Sequence, residues 1–142
     1  MREGGKILSD LLAMAIEKVV PGVSTKEISD FLGVELKKRG AVSAFLGFQG
    51  YPEIACISVN EQVVHGLPSK KTIIKDGDVV SVDLGIRFKG LLTDSARTVY
   101  VGKQPPENIK RLITGTQEAM MAGINKINGP TKVGDIASAI QA

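Results

Sequence analysis

The 142-residue chain has no tryptophan, two tyrosines, four phenylalanines, one cysteine and one histidine. With so few rings, aliphatic side chains must fill most of the interior. The lone Cys56 excludes an internal disulfide and fits a reducing compartment. No apolar run approaches the roughly 18 residues that a membrane span requires, and no secretory signal is legible, so a cytoplasmic setting is expected. Charge of one sign is not concentrated either. The formal net charge is +3 with a pI near 9.0, and Lys37-Lys38-Arg39, Lys70-Lys71 and Lys110-Arg111 are scattered without interleaved aromatics. That pattern is a solvated surface and not a specific nucleic-acid patch. What is present, 43 % hydrophobic and 23 % charged residues, fits one globular domain that buries roughly 68–70 % of its unfolded surface.

Ile7, Leu8, Leu11, Leu12, Ala15, Ile16, Val19 and Val20 recur at helical intervals, which predicts an amphipathic helix ended by Pro21-Gly22. Ser24 and Glu27 form a capping-box pattern ahead of Ile28, Phe31, Leu32 and Leu36, so a second helix runs to Gly40. From residue 41 to 104 the texture is that of strands. Ala55–Val59, Val63–His65, Val79–Leu84 and Leu91–Val101 are the candidates. From 105 to 142 helical spacing returns at Ile109, Leu112, Ile113, Thr116, Ala119, Met120, Gly123, Ile124 and Ile127. Asn128-Gly129-Pro130 breaks it, and Thr131 is the expected cap of a last helix carrying Ile136 and Ile140. The run "KINGPTKVGDIASAI" echoes "VVPGVSTKEISDFL", as a repeat would. The class is therefore α/β (α+β), read as one domain: two helices over 1–40, a β region over 41–104, and two further helices.

"VDLGIRFKGLLTDS" places Asp83 and Asp94 on two strands of one hairpin. With the turn centred on Phe88-Lys89 and Gly90 left-handed, they are expected directly opposite each other. Opposed like charges destabilise a sheet, but a divalent cation between them reverses the sign, and two cations about 3.5–4 Å apart could share the pair. The alternative is that both point to solvent, or that Asp94 caps a turn with Ser95. His65, in "VVHGLP", stands at the start of a loop where an imidazole could move a proton beside such a site. Phe45, Phe48, Tyr51 and Cys56, in "AFLGFQGYPEIAC", could wall a small apolar pocket or pack as ordinary core.

Taken together, "GYPEIACISVNEQVVHGLP", "KDGDVVSVDLG" and "LLTDSARTVYVG" resemble, in order and spacing, the first half of type I methionine aminopeptidases. These are metallopeptidases of the pita-bread fold, in which two similar α/β halves meet around a dinuclear centre. The resemblance implies that Asp83 holds one metal through both oxygens and that Asp94 bridges two. It places His65 beside the scissile peptide and Tyr51 and Cys56 in the pocket for the methionine side chain. Phe45 and Phe48 fall where bacterial members often carry Cys and Tyr. Two divalent ions (Co, Mn, Fe or Zn), polypeptides with N-terminal methionine, and the ribosome as a neighbour are the implied cofactors and partners.

The family completes its metal site with one His and two Glu from its second half, together with another substrate-contacting His. His65 is the sole histidine here. The expectation is a partial chain, beginning inside the family's first helix and ending in the opening helices of the second repeat, and inactive or nearly so by itself. The rival reading is a non-catalytic pita-bread protein that binds protein or RNA. Such relatives often lose the metal aspartates, whereas Asp83, Asp94 and His65 are retained.

Overall fold

A computed structural model describes residues 1–142. The chain forms two compact units, Met1–Lys103 and Gln104–Ala142. In the first, helices α1 (Arg2–Glu17) and α2 (Thr25–Lys38) precede strands β1 (Val42–Ser43), β2 (Cys56–Val59), β3 (Val79–Phe88) and β4 (Leu91–Tyr100). Every pairing is antiparallel. β3 is central, with β4 along one edge and β1 and β2 pairing with successive segments of its other edge.

Alternation along β3 divides its side chains between two faces. Val80, Val82, Leu84 and Ile86 are fully buried and join Leu8, Leu11, Leu12, Ala15, Ile28, Leu32 and Leu36 of the helices in one aliphatic core. Each such side chain contributes roughly 1.5–3 kcal/mol through burial. Ser81, Asp83 and Gly85 therefore fall on the face away from the helices. A layer of helix packed on one side leaves the other side of the sheet to carry polar chemistry.

The capping box at α2 is present. The Ser24 hydroxyl accepts from the Glu27 N–H at 3.2 Å, and the Glu27 carboxylate accepts from the Ser24 N–H at 2.8 Å. Its far end closes as a Schellman turn. The Gly40 and Ala41 N–H groups donate to the Lys37 and Leu36 carbonyls, and Gly40 adopts φ +65°. Ser24→Ala is expected to cost about 1 kcal/mol in urea denaturation. The Ser24 hydroxyl and then its N–H hold the Glu27 carboxyl below its ordinary value. The stabilisation is therefore present above the unfolded value and lost as pH falls through the folded one, so the Ser24→Ala penalty should shrink in acid.

Four expectations for the first unit need correction. α1 ends at Glu17 and not at Pro21, because Lys18 forms its C-cap; Val19 is still buried, whereas Val20 is 45 % exposed. Val63–His65 is no strand. Val63 and Val64 are exposed, and the Ile57 N–H that could pair with them donates to the Gly66 carbonyl at 2.8 Å instead. The β3–β4 turn is centred on Lys89-Gly90, both at positive φ (49° and 80°), the two-residue geometry that matches strand twist. It shifts the hairpin register by two residues, so Asp83 faces Ala96 and Asp94 faces Gly85.

The second unit holds α3 (Glu107–Asn125) and α4 (Val133–Gln141). The absence of a side chain at Gly123 admits Ile140 and Ile136 of α4; a Cβ there would lie 2.8 Å from Ile140 Cγ1. The cap of α4 is Lys132 and not Thr131. The Asp135 carboxylate accepts from the Lys132 N–H, while the Thr131 hydroxyl donates to the Lys126 and Gly129 carbonyls. No helix of the chain is long and apolar enough to cross a membrane.

Candidate metal centre and side-chain pocket

Asp83 and Asp94 lie on the sheet face opposite the helices. A shift of two residues preserves the face, whereas a shift of one would have reversed it. They are diagonal neighbours, with backbone positions typically about 7–8 Å apart and carboxylates able to lean together. Gly85 supplies the room. A Cβ there would lie 2.9 Å from Asp94 Oδ2 and 2.5 Å from Phe45 Cε1, so the missing side chain leaves space that both groups use.

Asp83 Oδ1 is buried and has no hydrogen-bond partner. Burial pushes the Asp83 carboxyl above its ordinary range, Asp94 pushes it further, and His65 pulls it back. Burial likewise raises Asp94. A buried, unpartnered carboxylate oxygen beside a second carboxylate is costly in itself. Hard divalent cations take such oxygens as ligands, and the pair fits one on that ground. No group of three or more His, Cys, Asp and Glu side chains is arranged to hold an ion, so the pair offers only part of a coordination sphere.

β2 brings Cys56 to the same place, and Tyr51 and Phe45 lie close by. Cys56 is the direct cross-strand partner of Asp83 and is 4 % exposed. The Tyr51 hydroxyl donates toward the Ala55 carbonyl at 3.1 Å and the Gly66 carbonyl at 3.4 Å. The Phe45 and Tyr51 rings meet edge-on, with centroids 6.5 Å apart. Burial, and next its interaction with Cys56, pushes the Tyr51 phenol well above its ordinary value. Burial raises the Cys56 thiol against the pull of Tyr51, and Asp83 and Asp94 add to the rise. Both groups are held neutral. Phe48 stays outside this enclosure, on a 3-10 turn (Phe48–Gly50) with 66 % exposure.

His65 sits at φ +57°, an uncommon backbone conformation for a residue with a side chain, and it is exposed. Next to it Gly66 is wedged against β2. Its N–H donates to the buried Ser58 hydroxyl at 3.1 Å, and its carbonyl accepts from the Ile57 N–H. Gly66, Ser58 and Gly85 position the site without belonging to its chemistry. Their roles depend on cross-strand neighbours that no local sequence pattern encodes.

The family model described as metallopeptidase family M24 matches residues 1–142. A protein of Aquifex aeolicus named methionine aminopeptidase is 44 % identical over 146 residues, which cover 99 % of this chain and 56 % of that protein. One of the same name from Clostridium perfringens is 41 % identical, with 99 % and 56 % covered. The solved methionine aminopeptidase of Thermotoga maritima superposes with a TM-score of 0.94 at 37 % identity, over 99 % of this chain and 56 % of that one. A prolidase from Pyrococcus horikoshii, at 21 % identity and a TM-score of 0.79, shares the fold. The chain spans about half the length of the curated relatives it matches.

Proposed function

Since the chain belongs to metallopeptidase family M24 and has the α/β pita-bread arrangement of the solved methionine aminopeptidases, we propose that it carries metal- and substrate-binding groups of an aminopeptidase that removes N-terminal methionine from polypeptides. The observation that carries this reading is the buried, partnerless Asp83 oxygen beside Asp94, with Cys56 paired across the strand and both Cys56 and Tyr51 held neutral. Asp83 and Asp94 would hold divalent ions, which supply Lewis acidity toward a carbonyl and acidify a water when bound.

The chain's own groups then divide the remaining work. Phe45, Tyr51 and Cys56 receive an unbranched apolar side chain, and their neutrality avoids desolvating a charge when it enters. Phe48 stands at the rim. The His65 imidazole, on its fixed left-handed turn, donates to or accepts from the amide being cleaved. In this reading α3 and α4 open a second repeat, since they recapitulate the helix, turn and capped helix of α1 and α2. Newly made cytoplasmic chains, at or near the ribosome, are the natural source of such N termini.

The test is a chimera of residues 1–142 joined to the remaining length of the Aquifex aeolicus relative, assayed for methionine release from a Met-Gly peptide with Mn²⁺ or Co²⁺. Release is expected, with Asp94→Asn abolishing it and His65→Ala lowering kcat about 10²-fold or more. A folded, metal-loaded chimera that is inert, or a His65→Ala chimera of undiminished kcat, would contradict the reading.

A further inference from the structure

Thr25, Ser29 and Gly33 recur every four residues along α2 and form one row of small residues on its surface. Each receives a group from a segment bordering the site. The buried Ser29 hydroxyl donates to Glu53 Oε2 at 2.9 Å, and Lys26 Nζ donates to the same oxygen at 2.9 Å. The next residue, Ile54, packs on Gly33, where a Cβ would lie 3.2 Å from Ile54 Cγ1. At the helix start, the buried Thr25 hydroxyl accepts from the Ser69 N–H at 2.9 Å and donates to its carbonyl at 3.2 Å.

Glu53 stands between Tyr51 and Cys56 in a segment with no regular structure. Its side chain is 12 % exposed, and both of its donors come from α2. Burying a carboxylate is tolerable only with such partners. A surface loop has no need of this arrangement unless its placement matters.

We infer that Glu53 is a positioning residue: held by Ser29 and Lys26, it seats the Tyr51–Ala55 segment on the small-residue row of α2 and so sets where the Tyr51 phenol covers Cys56 beside the aspartate pair. Its significance for methionine recognition rests on the reading proposed above. The same row anchors, through Thr25, the segment that follows His65. One helix thus registers both segments that flank the site, while the adjoining row on the same buried face carries the core residues Ile28, Leu32 and Leu36.

Cys56 is the sole thiol, so its alkylation by iodoacetamide in the folded 142-residue chain reports opening of the segment above it. Glu53→Ala removes the acceptor for both donors, whereas Glu53→Gln keeps an oxygen for the Ser29 hydroxyl. Glu35→Gln serves as the control. It weakens a comparable network late in the same helix, where Lys38 donates to Glu35 at 2.6 Å and Arg39 also pairs with it. Glu53→Ala is expected to raise the labelling rate about tenfold or more, because hydrogen bonds to a charged group are lost. Glu53→Gln should restore most of the difference, and Glu35→Gln should label at the wild-type rate even if its Tm falls as far. Wild-type labelling in Glu53→Ala, or equally fast labelling in Glu35→Gln at matched Tm, would overturn the inference. Should Glu53→Ala fail to fold, Ser29→Ala carries the same comparison, with a rise of a few-fold expected and none overturning it. Methioninol separates the two claims. Protection of wild-type Cys56 supports the pocket reading; its absence counts against that reading alone and leaves the labelling comparison to decide the role of Glu53.

Discussion

Asp83→Asn should raise the Tm of the metal-free chain while removing its response to Mn²⁺. The wild-type carboxylate has one buried oxygen without a partner and a second carboxylate as its neighbour. A neutral amide of the same shape removes the repulsion and most of the desolvation penalty, a gain of roughly 1–2 kcal/mol. In ordinary core positions Asp→Asn at a paired carboxylate destabilises, so the sign of the effect is informative. Added Mn²⁺ should invert the order, because an ion that binds only the folded wild-type chain stabilises it in proportion to its saturation. With two carboxylates and no third ligand assembled, saturation requires concentrations on the order of millimolar. Thermal melts in chelator and in Mn²⁺ check both halves. An Asp83→Asn chain that is less stable in chelator would mean that Asp83 pays its own way through a contact the structure lacks.

Gly66→Ala should be the most damaging single-methyl substitution in the first unit, at roughly 3–4 kcal/mol. The added Cβ would fall 2.3 Å from the Ile57 carbonyl oxygen and 2.7 Å from both Ile57 C and Ser58 Cα. All three are backbone atoms of β2, so no side-chain rotation relieves the overlap. Overpacking of this kind costs about 1–3 kcal/mol. The segment must also retreat from hydrogen bonds to the Ser58 hydroxyl and the Ile57 N–H, which adds a similar amount. The retreat would carry His65 with it. Gly5→Ala is the matched control: a Cβ at this α1 position meets nothing within 4 Å, and the helix should gain about 0.5–1 kcal/mol. Urea denaturation of the two variants should therefore shift in opposite directions. A Gly66→Ala loss below about 1 kcal/mol would contradict the wedge geometry.

Some parts of the molecule are legible in the sequence alone and others are not. Helix α2 was legible to its ends, because Ser24 and Glu27 carry a capping signal and Gly40 supplies the left-handed stop. The placement of Asp83 and Asp94 on one face was legible too, although their pairing was not. Lys89 accepts a positive φ that its residue type does not advertise, and that choice moved the register by two. Val63 and Val64 favour strands by composition, but the adjoining β2 groups are taken by Gly66. The space over Gly85 and the seating of Glu53 on Ser29 arise only when distant segments meet. No periodicity or motif in either segment signals them.

The proposed divalent-ion site at the two carboxylates of the β3–β4 hairpin is tested most directly by paramagnetic broadening of the ¹⁵N-labelled chain by Mn²⁺. At substoichiometric Mn²⁺, the amide signals of Cys56, Asp83–Gly85 and Asp94–Ala96 should weaken first, and Asp83→Asn should abolish that selectivity. Broadening that spares the hairpin, or that affects exposed acids such as Glu107 and Glu118 equally, would contradict it.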